Sequence, residues 1–68
     1  MTNVNMLRER IRESGISMTA ISKKTGILRE TLYNRLAGKG EFKASEISAI
    51  SNVLNLDTTE RDEIFFAN

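Results

Sequence analysis

The 68-residue chain contains no cysteine and no histidine. Without cysteine there is no disulfide framework, no thiolate metal site and no thiol nucleophile. Without histidine, the usual general base and the commonest zinc ligand are missing. Proline is also absent and glycine numbers only four, which excludes a low-complexity linker or a tail disordered by composition. No run of large apolar residues exceeds three (Ile64-Phe65-Phe66), so neither a transmembrane span nor a signal-peptide core is expected. These absences point to a soluble cytoplasmic domain with no cofactor, no metal and no membrane partner, and away from an enzyme. Glu41 and Glu46 could be imagined as a catalytic pair, but no nucleophile or ligand set accompanies them.

A chain of this length is expected to form one domain, residues 1–68, with no room for a separate dimerisation or effector domain. Such a domain buries roughly 60% of the surface its unfolded chain exposes, so the core must be economical. The net charge of +1 conceals an asymmetry. Through Lys43 there are nine basic residues against four acids; from Ala44 onward there is one base, Arg61, against five acids. A basic front and an acidic back would orient a small protein toward a polyanion, although two ordinary solvated faces would produce the same count.

Five short helical patterns are present and no strand-like alternation. The first spans about Val4 to Ser14, with Leu7 and Ile11 on one face and Gly15 placed to end it in a left-handed conformation. Ser17 is a good N-cap for the second, which carries Ala20 and Ile21 as far as Thr25. The third, about Leu28 to Ala37, places Leu28, Leu32 and Leu36 on an inward stripe and offers Arg29, Glu30, Tyr33, Asn34 and Ala37 to solvent. Ala37-Gly38-Lys39-Gly40 is the clearest break in the chain, with Phe42 as a core anchor beyond it. A fourth helix from about Ala44 to Leu54 buries Ile47, Ile50 and Leu54, with Val53 beside them and Asn55 suited to end it. Asp57-x-x-Glu60 has the spacing of a capping box and opens the fifth, which ends in Ile64, Phe65 and Phe66.

The segment Ser17 to Gly38 carries the most information. Two helices are joined by a turn containing Gly26, and Ile21, Ile27 and Leu32 fall where they can plug the angle between them. Ser22 is small enough to allow close approach. This spacing alone fits any helical hairpin. The run TAISKKTGILRETLYNRLAGKGEF, continued by SEISAISNVLNL, resembles the helix-turn-helix family of phage Cro proteins and repressors, the XRE type. The closing Glu-Ile-Phe-Phe is similar to the ends of small regulators in prophages of Gram-positive bacteria. The likeness covers roughly residues 4 to 67 and implies an all-α, five-helix, lambda-repressor-like DNA-binding domain. Gly26 matches the family's turn glycine, and Ile21, Ile27 and Leu32 its packing positions. Ser22 replaces the usual alanine. Met18 stands where many members carry a glutamine that touches a phosphate and braces the reading helix. Leu28 replaces a frequent Ser or Thr cap, and Arg61 a frequent apolar residue.

In this family the third helix enters the major groove. The positions matching its base readers are Arg29, Glu30, Tyr33 and Asn34. The chemistry agrees: Arg29 can donate two arms to guanine, Asn34 can pair bidentately with adenine, and Glu30 can accept from cytosine. Each has a plainer role available. Glu30 suits a first helical turn, Arg29 can grip a phosphate or pair with an acid, and Tyr33 can pack on the rim. Asn34 is the favoured reader, because a helix interior otherwise disfavours asparagine. Leu28 either packs inward with Leu32 or offers its methyls to a thymine.

Backbone contacts are expected at the amides of Ser17, Met18 and Thr19, which open a helix, and at Lys23, Lys39 and Lys43. The Ser17 hydroxyl is assigned first to capping. The arginines of RERIRE, residues 8–13, read as an ion-paired, solvated face rather than a phosphate clamp. Ile64 and Phe65 are expected in the core, while Phe66 either contacts a second copy or folds back onto the first helix. The resemblance implies a sequence-specific regulator, Cro-like or a small phage or prophage repressor. It would act by occupying a pseudo-palindromic double-stranded operator as a homodimer, without a small-molecule effector. The rival reading is a protein-binding module such as an antitoxin, since one fold serves many functions.

Overall fold

A computed structural model describes residues 1–67; Asn68, which belongs to the expected domain, lies outside the described residues. Five helices follow in order: α1 (Val4–Ser14), α2 (Met18–Thr25), α3 (Arg29–Leu36), α4 (Ala44–Val53) and α5 (Thr58–Phe65). The described residues include no strand. The all-α expectation therefore holds, with helix ends within one residue of those read from spacing and breakers.

Local chemistry sets the ends. Asn3, Ser17 and Asp57 each accept a backbone N–H three residues on, from Met6, Ala20 and Glu60. At α5 the Glu60 carboxylate also accepts from the Asp57 N–H at 3.1 Å, completing the capping box. Gly26 (φ 77°) ends α2 in the left-handed region, where a side chain would be strained. Asn55 (φ 54°) is the one described non-glycine residue with positive φ, as its position after α4 requires.

Every helix contributes to one core. Leu7, Ile21, Leu32 and Ile50, one from each of α1 to α4, are almost wholly excluded from solvent, and Ile64 and Phe65 add the inner face of α5. Phe42 anchors the loop after α3 by an edge-to-face contact with Phe65, the ring centroids 5.4 Å apart. One element of the expected stripe is overturned. Leu28 is 74% exposed, because it precedes α3 in extended backbone (φ −59°, ψ 140°) and so departs from the helical phase that buries Leu32 and Leu36.

The arginines of α1 do more than cover a solvated face. Arg12 pairs with Glu9 on the helix surface, as expected. Arg8 Nη2, however, donates to the carbonyl of Leu36, the last residue of α3, at 2.9 Å. Arg10 Nε reaches Glu60 of α5 at 3.2 Å, and its Nη2 reaches the Leu54 carbonyl at 3.5 Å. Cations thus meet the negative ends of two other helices, satisfying carbonyls that lack helical partners. The Arg8 contact joins α1 to the helix that carries the candidate site, and the Arg10 contacts join it to α4 and α5.

Candidate nucleic-acid interface

The site is built on the turn between α2 and α3. The Ser22 hydroxyl donates to the Ile27 carbonyl at 2.6 Å. The Thr25 hydroxyl donates to the Ile21 carbonyl at 2.7 Å and accepts the Ile27 N–H at 3.2 Å. Two hydroxyls therefore satisfy the polar backbone of a turn whose middle residue, Ile27, is buried in the core. Ser22 is a tie as well as a small residue, a role its size alone did not reveal.

The inner side of α3 is fully engaged. Leu32 and Leu36 are buried, and Arg35 forms a mostly buried pair with Glu46 of α4, Nε to Oε1 at 3.3 Å. Gly40 (φ 92°) makes room for this arginine: a Cβ there would lie 2.8 Å from Nη1 of Arg35. Burial by itself would raise the Glu46 pKa. The Lys43 backbone N–H (2.8 Å), the hydrogen bond and charge of Arg35 and the charge of Lys43 outweigh it, holding the carboxyl below its ordinary value. Glu46 is thereby a structural anion, and its imagined pairing with Glu41 gives way to a contact with Arg35.

The outer side of α3 is the reverse. Arg29, Glu30, Tyr33 and Asn34 are all exposed. Among the described residues, the side chains of Glu30, Tyr33 and Asn34 make no hydrogen bond within the protein, while Arg29 Nη1 donates to the Thr19 hydroxyl at 2.9 Å. Leu28 stands at the leading end of this face with most of its side chain in solvent, which leaves its methyls available and excludes inward packing with Leu32.

Around that face lie groups suited to an anion. The Ser17 side chain caps Ala20, and the Ser17 carbonyl takes the Ile21 N–H, so the amides of Met18 and Thr19 have no intrahelical partner. The Met18 side chain packs partly against the core and shares a hollow of about 220 Å³ with Tyr33, leaving only its amide for a phosphate. Lys23, Lys24, Lys39 and Lys43 are exposed, and none closes an ion pair among the described residues. Lys43 and Leu28 line one hollow of about 320 Å³, so this lysine flanks the start of α3 although it follows the helix in the chain. Lys24 was not among the expected contacts; its place beside Lys23 in a basic last turn was the available signal.

A helix-turn-helix family model matches residues 7–61, most of the chain. The chain belongs to the XRE-type helix-turn-helix family, whose members are Cro- and lambda-repressor-like DNA-binding regulators. Comparison with curated proteins and with solved structures returned no match. This helix-turn-helix protein is accordingly a DNA-binding transcriptional regulator of the XRE type, and its matched domain is regulatory rather than typically enzymatic. None of its described helices is long and apolar enough to cross a membrane. No cluster of three or more potential metal-ligating side chains occurs among the described residues.

Proposed function

We propose that residues 1–68 act as one sequence-specific domain, a Cro-like or small phage-type repressor that blocks transcription by occupying a pseudo-palindromic operator. One observation carries this reading. The outer face of α3 holds an arginine, a glutamate, a tyrosine and an asparagine in solvent, on a helix whose other side is locked into the core. Side chains with hydrogen-bonding capacity left open on a rigid helix match the bidentate code of the major groove. Arg29 and Asn34 read guanine and adenine, Glu30 accepts from cytosine, and Tyr33 and Leu28 make apolar contacts. The amides of Met18 and Thr19, next to Ser17, and the ammonium groups of Lys23, Lys39 and Lys43 hold phosphates and set affinity without carrying sequence.

The partner on the operator is a second copy. Phe66 is 55% exposed beside a hollow of about 420 Å³ lined by Phe42, Ala44, Ile47, Ser48 and Arg61. A two-fold axis through this patch would seat each Phe66 in the partner's hollow. A two-fold pairing of copies is what half-sites about one helical turn apart require. The test is selection from a random duplex library at about 150 mM salt, where purely electrostatic binding weakens. Enrichment of a symmetric motif is expected, with Phe66→Asp retaining half-site binding but losing the full site. Weak binding to every duplex that vanishes as salt rises would overturn the proposal and favour a protein-binding role.

A further inference from the structure

Among the described residues, Arg29 is the only member of the outer face of α3 that another helix holds. Its Nη1 donates to the Thr19 hydroxyl at 2.9 Å across the angle between α2 and α3. Nη1 is the nitrogen on the Cδ side of the guanidinium, so this bond leaves free the opposite edge, formed by Nε and Nη2. That edge is a planar fork suited to the N7 and O6 of guanine. Neither Nε nor Nη2 has a protein partner among the described residues, and no acid pairs with Arg29. Thr19, accepting from Arg29, still has its own hydroxyl hydrogen to donate. It is the second residue of α2, and its backbone N–H also lacks an intrahelical partner.

One residue can thus hold the arginine through its oxygen and a phosphate through its hydrogens. Its neighbours do not duplicate this: the Met18 side chain packs against the core, and Ala20 has no polar atom beyond its backbone. We infer that Thr19 is the positioning residue for base readout, holding the Arg29 guanidinium with its Nε/Nη2 fork turned outward so that guanine preference depends on the Thr19 hydroxyl. The inference rests on the proposal that this face reads bases. An arginine held in advance loses less side-chain freedom on binding. A wrong base then meets a fork that must give up its Thr19 bond to swing away to a phosphate.

The experiment compares the parent with Thr19→Val, Thr19→Ser, Thr19→Ala and Arg29→Ala. Binding is measured to the duplex selected by the parent and to its variants at the base pair whose preference Arg29→Ala abolishes. Thr19→Val keeps the shape and removes the acceptor, and Thr19→Ala is a second hydroxyl-free form. Discrimination at that base pair is expected to fall roughly three- to tenfold in both. Preferences elsewhere in the site should persist, Thr19→Ser should restore discrimination, and Thr19→Val should have no effect on it in the Arg29→Ala background. Unchanged discrimination in Thr19→Val, whether or not binding to all sequences weakens with the lost phosphate contact, would overturn the inference alone, because the parent's motif would still stand. A parent that selects no motif would overturn the base-reading proposal and this inference together.

Discussion

Arg29 and Arg35 stand at opposite ends of the same eight-residue helix, in opposite surroundings. Arg35 lies under a glycine, with most of its surface removed from water and its guanidinium on Glu46 of the next helix. Arg29 is exposed and touches one hydroxyl. The same side chain fixes the helix at one end and stands in solvent on a single hydroxyl at the other. The difference shows how a small domain divides the work of one helix. Its inner side is satisfied by leucines, an ion pair and a capping arginine from α1, so its outer side can leave hydrogen-bonding groups without protein partners. On the proposed function, rigidity behind the helix is what would give this open face its selectivity.

The contrast can be broken hardest from the inside. Leu32→Ala should cost about 2–5 kcal/mol, because it removes a buried side chain at the junction of α3 with its neighbours. In a domain whose whole stability is expected to be roughly 3–10 kcal/mol, urea unfolding followed by circular dichroism should show a large loss. Binding should fall with the fold rather than with any one base.

A smaller loss of stability is expected at the buried pair. Arg35→Ala leaves the Glu46 carboxylate with its Lys43 amide alone, at a cost of about 1.5–3 kcal/mol. Gly40→Ala should destabilise through the same arginine, by crowding Nη1 and straining a left-handed backbone. The two effects should therefore add to less than their sum in the double variant. The pair also has a pH signature. The folded pKa of Glu46 lies below its ordinary value of 4.5, so its contribution is complete above that value and is lost as pH falls through the folded pKa. Stability of the parent should drop more steeply below about pH 4.5 than that of Glu46→Gln.

Outside, the readout changes from stability to selectivity. Asn34→Ala should leave unfolding within about 0.5 kcal/mol of the parent, since its exposed side-chain amide makes no hydrogen bond among the described residues. It should erase about 1–3 kcal/mol of preference at one base pair. The smallest effect is expected at Ser51, whose buried hydroxyl has no hydrogen-bond partner among the described residues. Ser51→Ala should be neutral or stabilising by up to about 1 kcal/mol in the same urea experiment, with operator preference unchanged.

The elements legible in the sequence were those whose cause is local. Caps at Ser17 and Asp57, the left-handed Gly26 and Asn55, and the i, i+4 spacing of Leu32 and Leu36 all act within one helix or turn. The exposed set on α3 followed from the same periodicity. Contacts between helices distant in sequence were not legible. Arg8 on the Leu36 carbonyl, Arg10 on Glu60 and Arg35 on Glu46 join residues whose neighbourhood exists only after packing, and RERIRE alone reads as a solvated face. Leu28 was misplaced because spacing assumes helical phase, and the chain is still extended at that residue. The Thr19–Arg29 bond escaped for a similar reason: it spans the turn between α2 and α3, and a hydroxyl is a weaker signal than an acid.

On the proposed function, the two sides of α3 separate folding from reading. This separation is tested most directly by the triple variant Arg29→Ala, Glu30→Ala, Asn34→Ala, with unfolding free energy and preference for selected over scrambled duplex measured on one preparation. The predicted result is stability within about 1 kcal/mol of the parent and complete loss of preference. A triple variant that keeps the parent's preference, or that unfolds, would contradict the separation.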